Sequence, residues 1–185
     1  MQINFHTVNL KKKHPLQISR GVHDKSQNLF VEIVNDGITA WGESAPGKTE
    51  GAKTAFEVQS HLTRLVDTGI ENLSIYEVYQ RSKELRIPAC AQAGIDMALW
   101  DLNAKKAGLQ LNDLLGLPKP NVPTSITVGI NPPEVVKERV EMILSNSEVR
   151  ALKVKLGSPD GIEYDKLIYS QVLESTKKSN VAIRV

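Results

Sequence analysis

Two lysines separated by one residue are the strongest chemical signal in this sequence. Lys153 and Lys155 lie in a segment rich in apolar and β-branched residues, 150–156, which predicts a strand. Side chains two residues apart on a strand project from the same face, about 7 Å apart along the backbone. Each ammonium group disfavours the protonated form of its neighbour, and a lysine that loses its proton easily can act as a general base. The same pattern also occurs on ordinary solvated strands, so the spacing leaves both interpretations open.

Two further polar residues are candidates for binding a substrate. Thr127 lies in a short β-branched segment, 125–130, where it is equally consistent with an ordinary strand residue. Arg20 lies in a predicted loop, and its planar guanidinium group could hold a carboxylate through two parallel hydrogen bonds. An arginine exposed on a surface loop would look the same. The four histidines show no spacing typical of metal ligands.

The first part of the chain predicts an antiparallel sheet followed by helices. Segments 28–34 and 38–43 are strand-like, and Asn-Asp-Gly at 35–37 favours a tight hairpin turn between them. Apolar residues at helical spacing predict one helix within 51–66 and a second from Pro88 to about residue 108. The second helix begins with several Ala and Gly residues, which favour close packing against a neighbouring element.

A different pattern begins after the proline-rich connector at 117–123. Strand and helix patterns alternate from there, and two short-looped βα units predict a parallel sheet, either doubly wound or closed into a barrel. Helix caps are expected at Asn131 and within 158–160. The third strand has no helix after it to cover it, so the parallel-sheet domain is expected to be incomplete. The predicted strands are 125–130, 150–156 and 181–185, and the predicted helices are 131–145 and 162–177.

Composition indicates a globular chain without a strong charge bias. The 185 residues are 41% hydrophobic and have a formal net charge of +2, which is too small to indicate nucleic acid or a membrane surface as a partner. The single Cys90 excludes an internal disulfide, and the N-terminus lacks the apolar stretch of a secretory signal. We therefore expect a cytoplasmic protein in a reducing environment. The basic run at 11–13 is expected to be a solvated strand end or loop.

Four motifs in a fixed order resemble a known family. Each motif alone is loose, but together they span nearly the whole chain and are similar to the mandelate racemase and muconate lactonizing enzymes of the enolase superfamily. The motifs are WGESAP at 41–46, AGIDMALWDL at 93–102, LLG at 114–116 and LKVK at 152–155.

The resemblance implies a fold and a class of reaction. The fold would be an α+β capping domain, residues 1–122, followed by strands 1 to 3 of a (β/α) TIM-type barrel, residues 123–185, with the barrel incomplete in this chain. The reaction would be abstraction of the proton next to a carboxylate, with the resulting enediolate stabilised by magnesium. An enzyme of this kind is an isomerase when complete.

The resemblance also implies roles for individual residues. Lys-x-Lys on the second barrel strand is typical of the muconate lactonizing branch, where Lys155 would be the base and Lys153 its electrostatic partner. Dipeptide epimerases are the most similar members, because they combine a threonine on the first barrel strand, matched by Thr127, with a substrate-binding arginine on an early loop, matched by Arg20. An epimerase of the L-Ala-D/L-Glu type is expected. o-Succinylbenzoate synthase, N-succinylamino acid racemase and muconate cycloisomerase stay open as alternatives.

The metal ligands of the family lie outside the motifs found here. In the family, three acidic magnesium ligands stand at the ends of strands three to five, and segment 183–185 resembles the run just before the first of them. We therefore expect an N-terminal half with no metal ligand and no activity alone, with the Mg2+ ligands beyond Val185. The rest of the barrel would come from further sequence or another chain, and the complete enzyme is expected to be a homo-oligomer. A non-catalytic binding or regulatory α/β protein is the alternative from another class, and it would be a stable monomer with its third strand covered.

Overall fold

The structure, a computed structural model, describes every residue except Ser147 and groups them into two compact units. The first unit contains Met1–Leu10 and Ser26–Lys119. The second contains Pro120–Val185 together with Lys11–Lys25, a segment from near the amino terminus. Each unit therefore contains part of the first two strands of the chain.

The first sheet has three strands in the order β1-β2-β3, formed by Gln2–Ile18, Gly21–Asn35 and Ile38–Ser44. β2 and β3 pair antiparallel through a two-residue turn at Asp36 and Gly37, whose φ angles of 52° and 77° are both in the left-handed region. The predicted hairpin is confirmed. β2 begins earlier than predicted. β1 was not predicted, although Ile3 and Phe5 alternate with polar residues at its start and pack against the core.

Four helices follow the sheet in the first unit, and the third of them packs closely on β3. A methyl group at Gly42 of β3 would overlap the carbonyl oxygen of Gly94 in the third helix, so the two glycines allow close approach of the two backbones. A capping box formed by Ser74 and Glu77 starts the second helix, which was not predicted from the sequence. The helices are α1 (Ala55–Val66), α2 (Ile75–Glu84), α3 (Ala89–Lys106) and α4 (Leu111–Leu114).

The second unit contains a parallel sheet with helices against one face. The strand order is β4-β5-β6, and β5 pairs in parallel with both neighbours, which confirms the predicted alternation of strands and helices. Apolar side chains alternate along β4 and β5 and form a core with the helices, in which Val128, Leu152, Val136 and Ile168 are fully buried. The elements are β4 (Ile126–Val128), α5 (Pro133–Leu144), β5 (Ala151–Val154), α6 (Ile162–Thr176) and β6 (Ala182–Arg184).

Both helix caps predicted in the second unit were wrong. α5 is preceded by Pro132 rather than Asn131 as its N-cap, and α6 is preceded by Gly161, with no side-chain cap at either start. The reason at α6 is local: the Ser158 hydroxyl accepts the backbone N–H of Asp160 at 3.2 Å and so stays within its own turn. In the described part of the chain, no helix combines the length and the apolar character that crossing a membrane requires.

Candidate active site

Three polar side chains form a row across one face of the parallel sheet. The strand register pairs Thr127 with Lys153, and Lys153 in turn with Arg184. The alternate residues of β5, Leu152 and Val154, are buried in the core beneath the helices. Because side chains alternate between faces, the polar row lies on the face that α5 and α6 do not cover. Thr127 is half-buried, and the two cations beside it are exposed.

Lys155 extends this polar face by one step beyond the end of β5. Its backbone N–H donates to the carbonyl oxygen of Val128 at 2.9 Å, so pairing with β4 continues past the last assigned strand residue. With a side-chain period of two, Lys155 lies on the same face as Lys153, at the carboxyl end of the sheet. Lys155 is half-buried, whereas Lys153 is exposed. The structure thus places the two lysines on one face, as their spacing predicts, and the strand register adds Thr127 to that face.

Arg20 lies in the two-residue turn that joins β1 to β2, at the tip of a hairpin that belongs to the second unit. The hairpin contacts the carboxyl ends of two parallel strands. Ile130 donates its backbone N–H to the carbonyl oxygen of Gln17 at 2.9 Å, and a methyl group at Gly157 would lie 3.2 Å from Cβ of Ser19. The chain therefore brings the turn containing Arg20 to the same end of the sheet as Lys155.

Two residues of this region were not singled out from the sequence. Arg184 belongs to the polar row because it pairs with Lys153 in the register of β5 and β6. In the sequence, its place in the third predicted strand is the signal that could have pointed to it. Asp165, in the first turn of α6, accepts the backbone N–H groups of Gly157 at 2.9 Å and Ser158 at 3.0 Å. An acidic residue in the first turn of a helix is a recognisable sequence signal. Its contact with the turn after Lys155 is a tertiary feature that no local pattern shows.

A cavity of about 380 Å³ beside Thr127 has a positively charged lining. Lys12, His14 and Arg139 contribute basic groups, and no described residue in its lining is acidic. Partial burial, and then the charges of Arg139 and Lys13, lower the pKa of His14. The two cations of this lining, Lys12 and Arg139, favour an anionic ligand in the cavity.

The described residues do not by themselves form a metal site. No group of three or more His, Cys, Asp or Glu side chains in the described part of the chain is arranged to hold a metal ion. Magnesium is held mainly by oxygen ligands, usually carboxylates together with water or substrate. The charged groups on the polar face are cations, which cannot serve as such ligands.

Comparison with known families assigns the chain to one of them. The family model for the N-terminal domain of mandelate racemase / muconate lactonizing enzyme matches residues 2–116. The chain belongs to the mandelate racemase/muconate lactonizing enzyme family. This confirms the predicted resemblance to the enolase superfamily, and the fold is an α+β capping domain followed by the first strands of the barrel.

Relatives with high sequence similarity match this chain over its whole length. A hydrophobic dipeptide epimerase from Flavobacteria bacterium (strain MS024-2A) is 55% identical over 185 residues, covering 100% of this chain and 53% of the relative. Another from Roseobacter litoralis is 49% identical over 185 residues, with the same coverage of both chains. The chain thus spans about half the length of the curated relatives it matches.

Solved structures of this family show the same fold. A dipeptide epimerase from Enterococcus faecalis V583, complexed with Mg and the dipeptide L-Leu-L-Tyr, is 26% identical with a TM-score of 0.86, over 98% of this chain and 51% of that one. A dipeptide epimerase from Methylococcus capsulatus, complexed with Mg and L-Arg-D-Lys, is 27% identical with a TM-score of 0.83, over 100% and 52%.

Proposed function

We propose that this chain supplies the N-terminal half of a magnesium-dependent dipeptide epimerase. Residues 1–122 would be the capping domain and residues 123–185 the start of the barrel, with the magnesium ligands beyond Val185. The observation on which the proposal rests is the placement of Thr127, Lys153 and Lys155 on one open face at the carboxyl end of a parallel sheet. In barrel enzymes this end of the strands is where catalytic residues collect.

Each of these residues has a proposed role in the reaction. Nζ of Lys155 removes the proton from the α-carbon of the substrate, and the electron pair of the broken C–H bond delocalises into the adjacent carboxylate. Lys153, two residues earlier on the same face, adds positive charge that favours the anion as it forms. Thr127 lies beside Lys153 in the register and binds the substrate. A donor on the opposite side, supplied by the rest of the barrel, would return a proton to the other face of the α-carbon and complete the epimerisation.

The substrate is proposed to be a dipeptide, and two classes of side chain are candidates. Hydrophobic dipeptides are favoured by the names of the relatives that are 55% and 49% identical. An acidic dipeptide of the Ala-Glu type is favoured by Arg20 at the hairpin tip and by the positive lining beside Thr127. Measuring kcat/KM of the complete enzyme for L-Leu-L-Tyr and for L-Ala-L-Glu separates the two. A preference for Ala-Glu that is lost in Arg20→Ala would assign Arg20 to recognition of the acidic side chain.

Proton exchange in deuterium oxide tests the role of Lys155. In the complete enzyme, Lys155→Ala should slow incorporation of deuterium at the α-carbon by about a thousandfold for the epimer whose proton faces Lys155. Lys137→Ala is a matched control, because Lys137 is an exposed lysine on α5 that pairs with the exposed Glu141 at 4.0 Å. Near-normal exchange from both epimers in the Lys155 variant would show that Lys155 is not the base.

The alternative of a non-catalytic binding or regulatory protein predicts different behaviour of the 185-residue chain. A binding protein of this fold would be a stable monomer on its own. The half-enzyme should show no epimerase activity alone, associate in light scattering, and gain activity when the rest of the barrel is supplied in the same or another chain. The homo-oligomeric state of the complete enzyme and its cytoplasmic location stay predictions.

A further inference from the structure

The turn that follows Lys155 is held by a single carboxylate. Asp165 accepts the backbone N–H of Gly157 with Oδ2 at 2.9 Å and the backbone N–H of Ser158 with Oδ1 at 3.0 Å. Both oxygens of one charged group are therefore used on two consecutive donors, a geometry that fixes the turn in orientation as well as in position. Asp165 lies on α6, and the fully buried side chains of Ile168 and Val172 anchor that helix in the core.

This hydrogen bonding fixes the backbone on both sides of Lys155. On the amino-terminal side, the Lys155 N–H itself is held by the carbonyl oxygen of Val128 at 2.9 Å. On the carboxyl-terminal side, only Leu156 separates Lys155 from the first N–H that Asp165 accepts. A lysine side chain has four flexible methylene groups, so the backbone is the part of the residue that the fold can hold in place. A general base must also lie within about 2.6–3.2 Å of the proton-bearing atom.

The same turn also contacts the tip of the β1–β2 hairpin. Gly157 has φ = 93°, and a methyl group there would lie 3.2 Å from Cβ of Ser19, the residue before Arg20. Without its hydrogen bonds to Asp165, the turn could adopt a different backbone conformation at Gly157. The hairpin tip would then lose the surface that it contacts. The carboxylate thus holds a turn that adjoins both Lys155 and the hairpin tip, two groups from different parts of the sequence.

We propose that Asp165 is a positioning residue for proton transfer: its carboxylate sets the position of Lys155 and, through Gly157, that of the hairpin tip with Arg20. Asp165 does not need to touch the substrate in this role. The proposal rests on the function proposed for Lys155 and adds a residue to it.

The first test is an isosteric replacement in the complete enzyme. Asp165→Asn keeps the size of the side chain but offers one acceptor oxygen to two N–H donors, and its own NH2 group opposes the second donor. At saturating substrate, where weaker binding through Arg20 does not limit the rate, we expect deuterium exchange to slow by about a hundredfold for the epimer whose proton faces Lys155, and to change less than about twofold for the other epimer. Glu163→Gln is the matched control, because Glu163 lies in the same turn of α6 and pairs with the exposed Lys166.

The pattern of exchange distinguishes positioning from a general structural role. A merely structural role would slow exchange from both epimers to a similar extent, and that result would overturn the proposal. Asp165→Glu retains both oxygens on a longer side chain, so it should recover part of the lost exchange rate, and no recovery relative to Asp165→Asn would also count against it. If Lys155→Ala leaves exchange from both epimers unchanged, the proposed function fails first, independently of the result at Asp165.

A second test does not depend on activity. In the complete enzyme, the amide hydrogens of Gly157 and Ser158 should exchange with solvent at least about tenfold faster in Asp165→Asn than in the parent. The amides of the buried strand residues Leu152 and Val154 should keep their protection, which shows that the variant is folded. Equal protection of Gly157 and Ser158 in the parent and the variant would overturn the proposed hold on the turn.

Discussion

Replacing Gly129 by alanine should displace the hairpin tip. Gly129 follows the last residue of β4, and the added methyl group would lie 2.9 Å from the carbonyl oxygen of Gln17, 3.1 Å from its amide nitrogen and 3.2 Å from Cδ1 of Leu16. Two of these three atoms belong to the peptide backbone, so a change of rotamer cannot remove the overlap. The hairpin strand must move away from the sheet instead.

The size of the effect follows from these distances. Bringing the closest contact to an ordinary van der Waals separation requires a shift of about half an ångström. That shift lengthens the 2.9 Å hydrogen bond from the Ile130 N–H to the Gln17 carbonyl, and a lost bond of this kind costs about 1 kcal/mol. Residual overpacking adds about 1–2 kcal/mol. We expect the free energy of unfolding of the second unit to fall by about 2–3 kcal/mol.

Urea unfolding of the 185-residue chain, combined with amide exchange at Ile130, measures this effect. Gly47→Ala is the control, because a methyl group there would meet only the flexible side chain of Glu50, at 3.1 Å, and should change stability by less than about 0.5 kcal/mol. In the complete enzyme, the displaced tip should raise KM through Arg20. An unchanged unfolding free energy in Gly129→Ala, with Ile130 still protected from exchange, would refute the packing argument.

Two further predictions concern the first unit. Ser44→Ala should raise the free energy of unfolding by about 1 kcal/mol, because the buried Ser44 hydroxyl has no hydrogen-bond partner among the described residues. The same change should partly rescue Gly94→Ala, whose methyl group would overlap that hydroxyl, and equal destabilisation with and without Ser44 in a double-mutant cycle would contradict this. Hydrogen bonds from Asn4 and then His6 lower the pKa of Glu32 from 4.5, so its stabilising contribution is present above about pH 4.5 and is lost as pH falls through the lower folded-state value. Glu32→Gln should therefore be less stable than the parent at neutral pH and should approach it in acid, and a constant difference across pH would exclude the linkage.

Local patterns in the sequence were sufficient for most of the secondary structure. Asn-Asp-Gly predicted the turn at Asp36 and Gly37 because few other residues accept two consecutive positive φ angles. The apolar spacing of α1 predicted its buried face, and Ala55, Val58 and Leu62 are all fully buried. Two βα units also predicted the parallel sheet, because such crossovers join parallel strands.

Some of the missed features had a local signal, such as the Ser74–Glu77 capping box at the start of α2, whereas others depend on contacts between distant segments. β1 alternates only at its start, where Ile3 and Phe5 pack against the core, and its polar remainder is held in the sheet by β2. The period of two was enough to place Lys153 and Lys155 on one face. Contacts that other segments make with this face depend on tertiary structure. For that reason the contact of Asp165 with the turn after Lys155, and the place of Arg184 in the polar row, were not predicted.

The membership of the β1–β2 tip in the second unit affects how genes of this family can be recombined. Lys11–Lys25 contacts residues that follow it only after the entire helical part of the first unit. A chimaera that joins the first part of one relative to the barrel of another at the proline-rich connector would replace this tip with one adapted to a different partner. The hydrogen bond from the Ile130 N–H and the close contacts of Gly129 and Gly157 would then have to form with the hairpin tip of another protein. Exchanges that transfer Lys11–Lys25 together with the barrel should therefore give more stable hybrids than exchanges at the connector alone.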